Sequence, residues 1–182
     1  MGVDAIVIGS GPNGLTAAVE LARSGLQVEV YEAASSIGGG TRTQALTLPG
    51  FAHDVCSAVH PTGILSPYMS QLPLEQHGLE WVASGISAAH PLLDGTAAVL
   101  AGSVEDTAAT LGKDGAAYTR LMAPFVRYGP QLLEQFLGPF RFPKPSLMLP
   151  MARFGILGIP SAQRIAGLFY KDELAKGLFA GC

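Results

Sequence analysis

Residues 5–14 read Ala5-Ile6-Val7-Ile8-Gly9-Ser10-Gly11-Pro12-Asn13-Gly14. The first four form a short, continuous apolar run that stops at a glycine, the pattern of a strand buried on both faces of a parallel sheet. Beyond Gly14, the residues Leu15, Ala18, Val19 and Ala22 recur at helical spacing and predict a helix with one apolar face. Gly25 stands where a helix-terminating glycine belongs, shortly after Arg23, whose charge suits the negative end of the helix dipole. Gln27-Val28-Glu29-Val30-Tyr31 is then a second strand, ending at Glu32. Strand, glycine turn, helix and strand make one βαβ unit.

The three glycines of this turn have separate physical tasks. Gly9 permits the tight exit from the strand, Gly11 lets a pyrophosphate approach the backbone, and Gly14 lets the helix pack close to the strand. The helix N-terminus offers unpaired N–H groups and a positive dipole end to phosphate. Pro12 fits the first helical position, where its missing N–H costs little, and Asn13 follows it in the same turn. Glu32, at the end of the second strand, stands where a carboxylate accepts hydrogen bonds from both ribose hydroxyls of an adenosine. Its charge also disfavours a 2′-phosphate, which argues against NADP. NAD and FAD both fit this much. The second glycine cluster, Gly38-Gly39, favours FAD, because backbone without side chains there contacts the pyrophosphate or ribityl chain again. Thr41 and Arg42 lie close behind, and Arg42 can neutralise phosphate charge.

Composition narrows the class. Of 182 residues, 48% are hydrophobic and only 14% charged, against about 25% charged in an average domain. The chain is therefore apolar and foldable rather than disordered. A net charge of −3 without a Lys/Arg cluster excludes a sequence-independent grip on nucleic acid. The longest uncharged stretch, 55–74, is interrupted by Pro61, Gly63, Pro67 and Pro73, which argues against a membrane-spanning helix. The start lacks a basic leader, and Cys56 and Cys182 make no disulfide framework, so a cytoplasmic, reducing compartment is expected.

Farther along, a short helix is expected over 67–77, closed by Gly78. Strands are expected over 79–82 and at Ala97-Ala98-Val99-Leu100, the latter preceded by an Asp94-Gly95 turn. Ser103 caps a helix that carries Glu105 and Asp106 in its first turn and ends at Gly112. Asp114 is placed to cap another helix over 115–127. Pro139, Pro143, Pro145 and Pro150 mark an extended, proline-rich linker over 138–150. Ile165, Leu168 and Phe169, then Leu174, Leu178 and Phe179, return to helical spacing. The fold class is α/β: a Rossmann-type FAD-binding βαβ unit over 1–70, and part of an α+β substrate domain over 71–182. Only two strands of the parallel sheet can be placed, fewer than such a sheet normally has. The sheet is expected to be incomplete, with the chain the front portion of a longer protein.

The stretch to about residue 100 resembles the phytoene desaturase and carotenoid isomerase-like FAD-dependent oxidoreductases, within the amine oxidase-type flavoproteins. The residues that carry the likeness are Val7-Ile8-Gly9-Ser10-Gly11-Pro12-Asn13-Gly14-Leu15, Glu32, Gly38-Gly39, and Pro49-Gly50-Phe51 with Asp54. Ser57, His60-Pro61 and Ser66-Pro67 are similar to the phytoene dehydrogenase-related subgroup. The resemblance implies a noncovalent FAD, a second domain over an apolar substrate such as a polyene, and C–C desaturation or flavin-dependent isomerisation. Two positions depart from the wider superfamily: Ala34 and Gly40 stand where arginines are common, with Arg42 two residues later.

Partners follow from the same reading: a hydrophobic small molecule, peripheral contact with a membrane surface, and self-association through an exposed sheet edge. Phe125, Phe136, Phe140, Phe142, Phe154 and Phe169 suit an apolar tunnel, a membrane surface or an ordinary core. Cys56 reads as a small buried residue, Asp54 as a turn or hydrogen-bonding residue, and His60 as structural. No catalytic residue and no metal ligand is assigned. A nicotinamide-dependent dehydrogenase, and a non-catalytic dinucleotide-binding module that needs a partner chain, are the competing functions.

Overall fold

The structure, a computed structural model, describes residues 2–181 and forms two compact units, one ending at Pro61 and the other beginning at Thr62. Cys182 lies outside the described residues.

In the first unit, β1 (Ala5–Ile8) leads through the glycine turn into α1 (Pro12–Arg23) and on to β2 (Val28–Tyr31). The strands pair in parallel, Ala5 opposite Val28 and Ile8 opposite Tyr31. α1 begins with proline in its first turn and ends where Gly25, at φ +89°, donates its N–H to the Ala22 carbonyl at 2.9 Å. The unit matches the expected βαβ element for element, but β1 is not buried on both faces. Its side chains alternate, with Ala5 and Val7 half-buried while Ile6 is 61% and Ile8 88% exposed. The physical reason is that the sheet has two strands and α1 covers only one face of it.

After the second glycine cluster, β3 (Thr43–Gln44) and β4 (His53–Asp54) pair antiparallel. The Asp54 carboxylate accepts a hydrogen bond from Thr43 Oγ1 at 2.9 Å, the hydrogen-bonding role expected of it. Val55 and Ser57 donate their N–H groups to the Arg42 and Gly40 carbonyls. With these neighbours half-buried, the intervening Cys56 points outward and is exposed, contrary to the buried position expected for it. His60 is exposed, its Nδ1 3.3 Å from Ser57 Oγ.

α2 (Pro61–Ile64) is a single turn. The helix expected over 67–77 is replaced by two 3₁₀ turns, Met69–Gln71 and Leu74–His77. Pro73 separates them because it forces Leu72 into an extended conformation, ψ 141°. Gly78 closes the second turn at φ +91°. Residues 79–82 are irregular. The strand that pairs with the expected one is instead β5 (Ile86–Pro91), antiparallel to β6 (Ala97–Ala101) around Asp94-Gly95. The Asp94 carboxylate accepts from both Thr96 N and Thr96 Oγ1, which pulls its pKa below the usual carboxylate range.

α3 (Val104–Thr110) is capped as expected, with Ser103 Oγ accepting from Asp106 N at 2.9 Å. α4 (Gly115–Leu137) runs ten residues past its expected end and contains Pro124 and Pro130. The extended linker is shorter than expected. It ends at Lys144, because Pro145 sits in the first turn of α5 (Pro145–Gly158), where proline is tolerated. Phe154 on α5 packs against Phe125 and Phe136 of α4, at ring distances of 6.0 and 5.2 Å. Phe140 and Phe142 stand out from the linker into solvent, in contact with each other.

α6 (Ala162–Phe169) and α7 (Glu173–Gly181) complete the second unit. Its core joins Ala98 of β6, Leu111, Tyr118 and Leu121 near α4, Ile165 and Ala166 of α6, Tyr170, and Ala175 and Leu178 of α7. Asp114 does not cap α4 through its side chain. It is buried, and its Oδ2 accepts the N–H groups of Lys171 and Asp172 at 2.8 and 2.7 Å. The Tyr170 hydroxyl is buried without a hydrogen-bond partner among the described residues, and this burial, aided by Tyr118 and Asp114, pushes its pKa up. Tyr170→Phe removes that unpaired hydroxyl and is expected to raise stability by about 1 kcal/mol in a denaturant titration. A loss of similar size would show the hydroxyl to be bonded.

Candidate dinucleotide site

The site is built from two glycine loops that touch backbone to backbone. In the first, Gly9 takes φ +94° and donates its N–H to the Tyr31 carbonyl at 2.7 Å, which fixes the exit of β1 against the end of β2. Gly14 lies against that turn: a Cβ there would sit 2.0 Å from the Gly9 carbonyl oxygen. The first helical hydrogen bond runs from Leu15 N to the Gly11 carbonyl, at 2.9 Å. Pro12 has no N–H, so Asn13 and Gly14 present the leading N–H groups of α1. Asn13 is exposed.

The second loop turns at Gly38 (φ +107°) and Gly39 (φ +56°), both in the left-handed region that glycine enters without strain. Gly38 N donates to the Ser10 carbonyl at 3.0 Å. A Cβ on Gly39 would lie 2.8 Å from the Gly11 Cα. Thr41 Oγ1 donates to the Gly38 carbonyl at 2.6 Å, and Arg42 Nε to the Gly39 carbonyl at 2.8 Å. Both side chains therefore brace the loop. The Arg42 Nε is engaged in that contact.

Glu32 closes the arrangement. Its Oε2 accepts Ser10 N at 2.8 Å and Ser10 Oγ at 2.6 Å, and its Oε1 accepts Ala34 N at 2.9 Å. The Ala34 N–H, the Ser10 hydroxyl and the Ser10 N–H, in that order, hold the Glu32 pKa down at about 2. The residue is a carboxylate at neutral pH. The side chains and loops around Ser10 thus gather Gly9, Gly11, Gly14, Glu32, Gly38 and Gly39. Ser10 itself, fully buried, escapes a reading of the sequence. The only signal for it is a hydroxyl residue inside a turn that faces an acid one strand away.

The cradle suits a dinucleotide: bare backbone from both loops, helix N–H groups, one guanidinium and a fixed carboxylate. Among the described residues, no cluster of three or more His, Cys, Asp or Glu is placed to hold a metal ion, and no helix is long and apolar enough to cross a membrane. A separate cavity of about 800 Å³ in the second unit is lined by Tyr68, Tyr128, Glu134, Arg141, Phe142 and Lys144, among others.

These features define a dinucleotide-binding unit of the Rossmann kind. Residues 7–72 match the family of NAD(P)-binding Rossmann-like domains. The chain is similar over 173 residues, at 27% identity, to a limonene dehydrogenase polypeptide of Castellaniella defragrans, a match spanning 95% of this chain and 29% of the relative. It is 33% identical over 135 residues to pyridine nucleotide-disulfide oxidoreductase domain-containing protein 2 of Mus musculus, spanning 73% of this chain and 22% of that one. A solved putrescine oxidase variant, redesigned in its cofactor binding, superposes with a TM-score of 0.54 at 25% identity, over 96% of this chain and 36% of that one. The chain thus spans between a fifth and two fifths of the length of these relatives.

Proposed function

We propose that this chain is the FAD-binding part of a flavin-dependent oxidoreductase that acts on a hydrophobic substrate. The observation that carries the reading is the contact of the two glycine loops, Gly39 on Gly11 and Gly38 N on the Ser10 carbonyl, beside a carboxylate fixed at the end of β2. Two bare backbone surfaces in contact suit a long pyrophosphate-bearing cofactor better than a single glycine turn does. Held by these loops, FAD would supply the redox chemistry of a hydride transfer from a substrate carbon.

The chain's own residues bind and orient. The N-terminus of α1, opened by Gly9, Gly11 and Gly14, takes the pyrophosphate through backbone N–H groups. Glu32 takes adenosine ribose through Oε1 and repels a 2′-phosphate. Gly38 and Gly39 give the cofactor a second backbone contact, and Arg42 adds positive charge beside it. The substrate is apolar, of the polyene type processed by the phytoene dehydrogenase-related enzymes, and the reaction is C–C desaturation or isomerisation. Exposed Phe140 and Phe142, and the hydrocarbon named in the limonene dehydrogenase relative, support this.

The test is the visible absorbance spectrum of the purified chain, before and after FAD is added, with NAD as the control. A bound-flavin spectrum at a stoichiometry near one is expected. Binding of NAD in place of FAD overturns the proposal in favour of a nicotinamide-dependent dehydrogenase.

A further inference from the structure

Between Glu134 and Asp172 the sequence contains no Asp or Glu, while Arg141, Lys144, Arg153, Arg164 and Lys171 fall within the same stretch. The chain as a whole carries a net charge of −3, so this stretch runs against its surroundings. It also holds an unusual helix. α5 buries Leu147 and packs Phe154 on Phe125 and Phe136 of α4. Arg153 turns to that side too, its Nη2 donating to the Arg120 carbonyl at 2.8 Å. The opposite side carries Met148, Leu149, Ala152 and Ile156, spaced to share one face. All four are exposed, Leu149 by 78% and Ile156 by 69%, and Ile159 extends the stripe just past the helix end. A helix at a water-facing surface normally turns charged residues outward. α5 turns out none. Just before it, Phe140 and Phe142 are exposed, with Arg141 between them and Lys144 at the helix start, and Arg164 follows on α6, all three cations exposed.

We propose that α5 and the linker before it dock on an anionic lipid surface, with the apolar stripe and the two phenylalanines entering the headgroup boundary and the flanking cations facing lipid phosphates. The proposal goes beyond the flavin reading and does not depend on it. Charge complementarity selects this occupant: outward apolar side chains framed by cations, with no acid among them, match a surface that is apolar beneath and negative on top. A second copy of the chain fits less well, because a two-fold contact sets this face against itself and brings its cations together. The helix lies on the lipid rather than through it. α5 has 14 residues, and a spanning helix needs about 20.

The experiment is flotation of the 182-residue chain with vesicles of phosphatidylcholine alone, or of phosphatidylcholine mixed with an equal amount of phosphatidylglycerol. Aggregated protein stays at the bottom of such a gradient and is not counted as bound. Binding to the anionic vesicles is expected to be roughly a hundredfold tighter than to the neutral ones, because each of three cations contributes about fivefold, and to weaken as salt is raised. Lys144→Gln is then expected to weaken it about fivefold. Leu149→Ser combined with Ile156→Ser is expected to weaken it more than about tenfold. Both positions are exposed, so the fold does not depend on them, and circular dichroism melting checks this. Leu93→Ser, at a fully exposed position in the turn between β5 and β6, is expected to change nothing. Absence of binding, or equal binding to both kinds of vesicle, overturns the proposal. Anionic binding that survives Leu149→Ser with Ile156→Ser overturns it as well. A dimer in solution that the same pair of substitutions dissociates would give the face to a second copy and overturn it too. FAD binding is read separately from the absorbance spectrum, so either reading can fail without the other.

Discussion

Gly14→Ala is expected to abolish dinucleotide binding and to destabilise the first unit. The Cβ it adds would stand 2.0 Å from the Gly9 carbonyl oxygen and 3.1 Å from its carbon. Both atoms are backbone, so no rotamer change relieves the overlap. Gly9 cannot retreat either, because its N–H is bonded to the Tyr31 carbonyl and its φ of +94° defines the exit of the strand. The remaining way out is for α1 to move off β1 by more than an ångström, which separates the helix N-terminus from the second glycine loop. Overpacking of this kind costs roughly 1–3 kcal/mol when side chains can adjust, and more when only backbone can. Circular dichroism melting combined with an FAD titration checks it. Unchanged affinity and an unchanged melt would mean that α1 does not lie as close to β1 as described.

Gly25→Ala makes a useful contrast. It shares the left-handed backbone, at φ +89°, but a Cβ there meets open space. The cost is then only backbone strain of about 1–2 kcal/mol, with no reason for the site to lose its ligand. The difference between the two positions separates a glycine required by conformation from one required by contact.

How much of this the sequence reveals depends on how local the determinants are. The βαβ unit is legible because each of its requirements falls within a few residues: an apolar run, a glycine turn, a helical stripe, a second strand. Ser103 is legible as a cap for the same reason, since its partner Asp106 is three residues away. Ser10 is not, because its partner lies 22 residues off and nothing in the turn demands a hydroxyl. β5 escapes because Ser87, Ala88, Ala89 and His90 have little intrinsic preference for a strand, and β6 organises it by pairing. The run Leu79-Glu80-Trp81-Val82 has the better strand composition but no strand partner among the described residues, so it stays irregular. Exposure of Ile6 and Ile8 shows the limit from the other side. An apolar run encodes a preference for burial, and whether it is buried depends on what packs against it.

Asp114 extends the same point to stability. Read alone, it is a helix cap; in the structure it accepts Lys171 N and Asp172 N from 57 and 58 residues away. These two bonds pin the turn between α6 and α7 to the start of α4, across the core that contains Tyr118 and Leu178. Removing the carboxyl leaves two backbone donors facing a buried position. Asp114→Ala is therefore expected to destabilise the second unit by about 3 kcal/mol, since hydrogen bonds to a charged group contribute roughly 1.5–3 kcal/mol each and part of the loss is recovered by water. Asp114→Asn keeps an acceptor of nearly the same shape and is expected to cost about 1 kcal/mol. The neighbouring Lys113–Asp172 ion pair, 2.7 Å long but exposed, supplies the control. Lys113→Ala breaks it, and screening by solvent makes the expected change small. Denaturant titrations of the three variants give the ranking directly. Should Lys113→Ala cost as much as Asp114→Ala, the surface pair would be the tie, and the buried carboxyl only its neighbour.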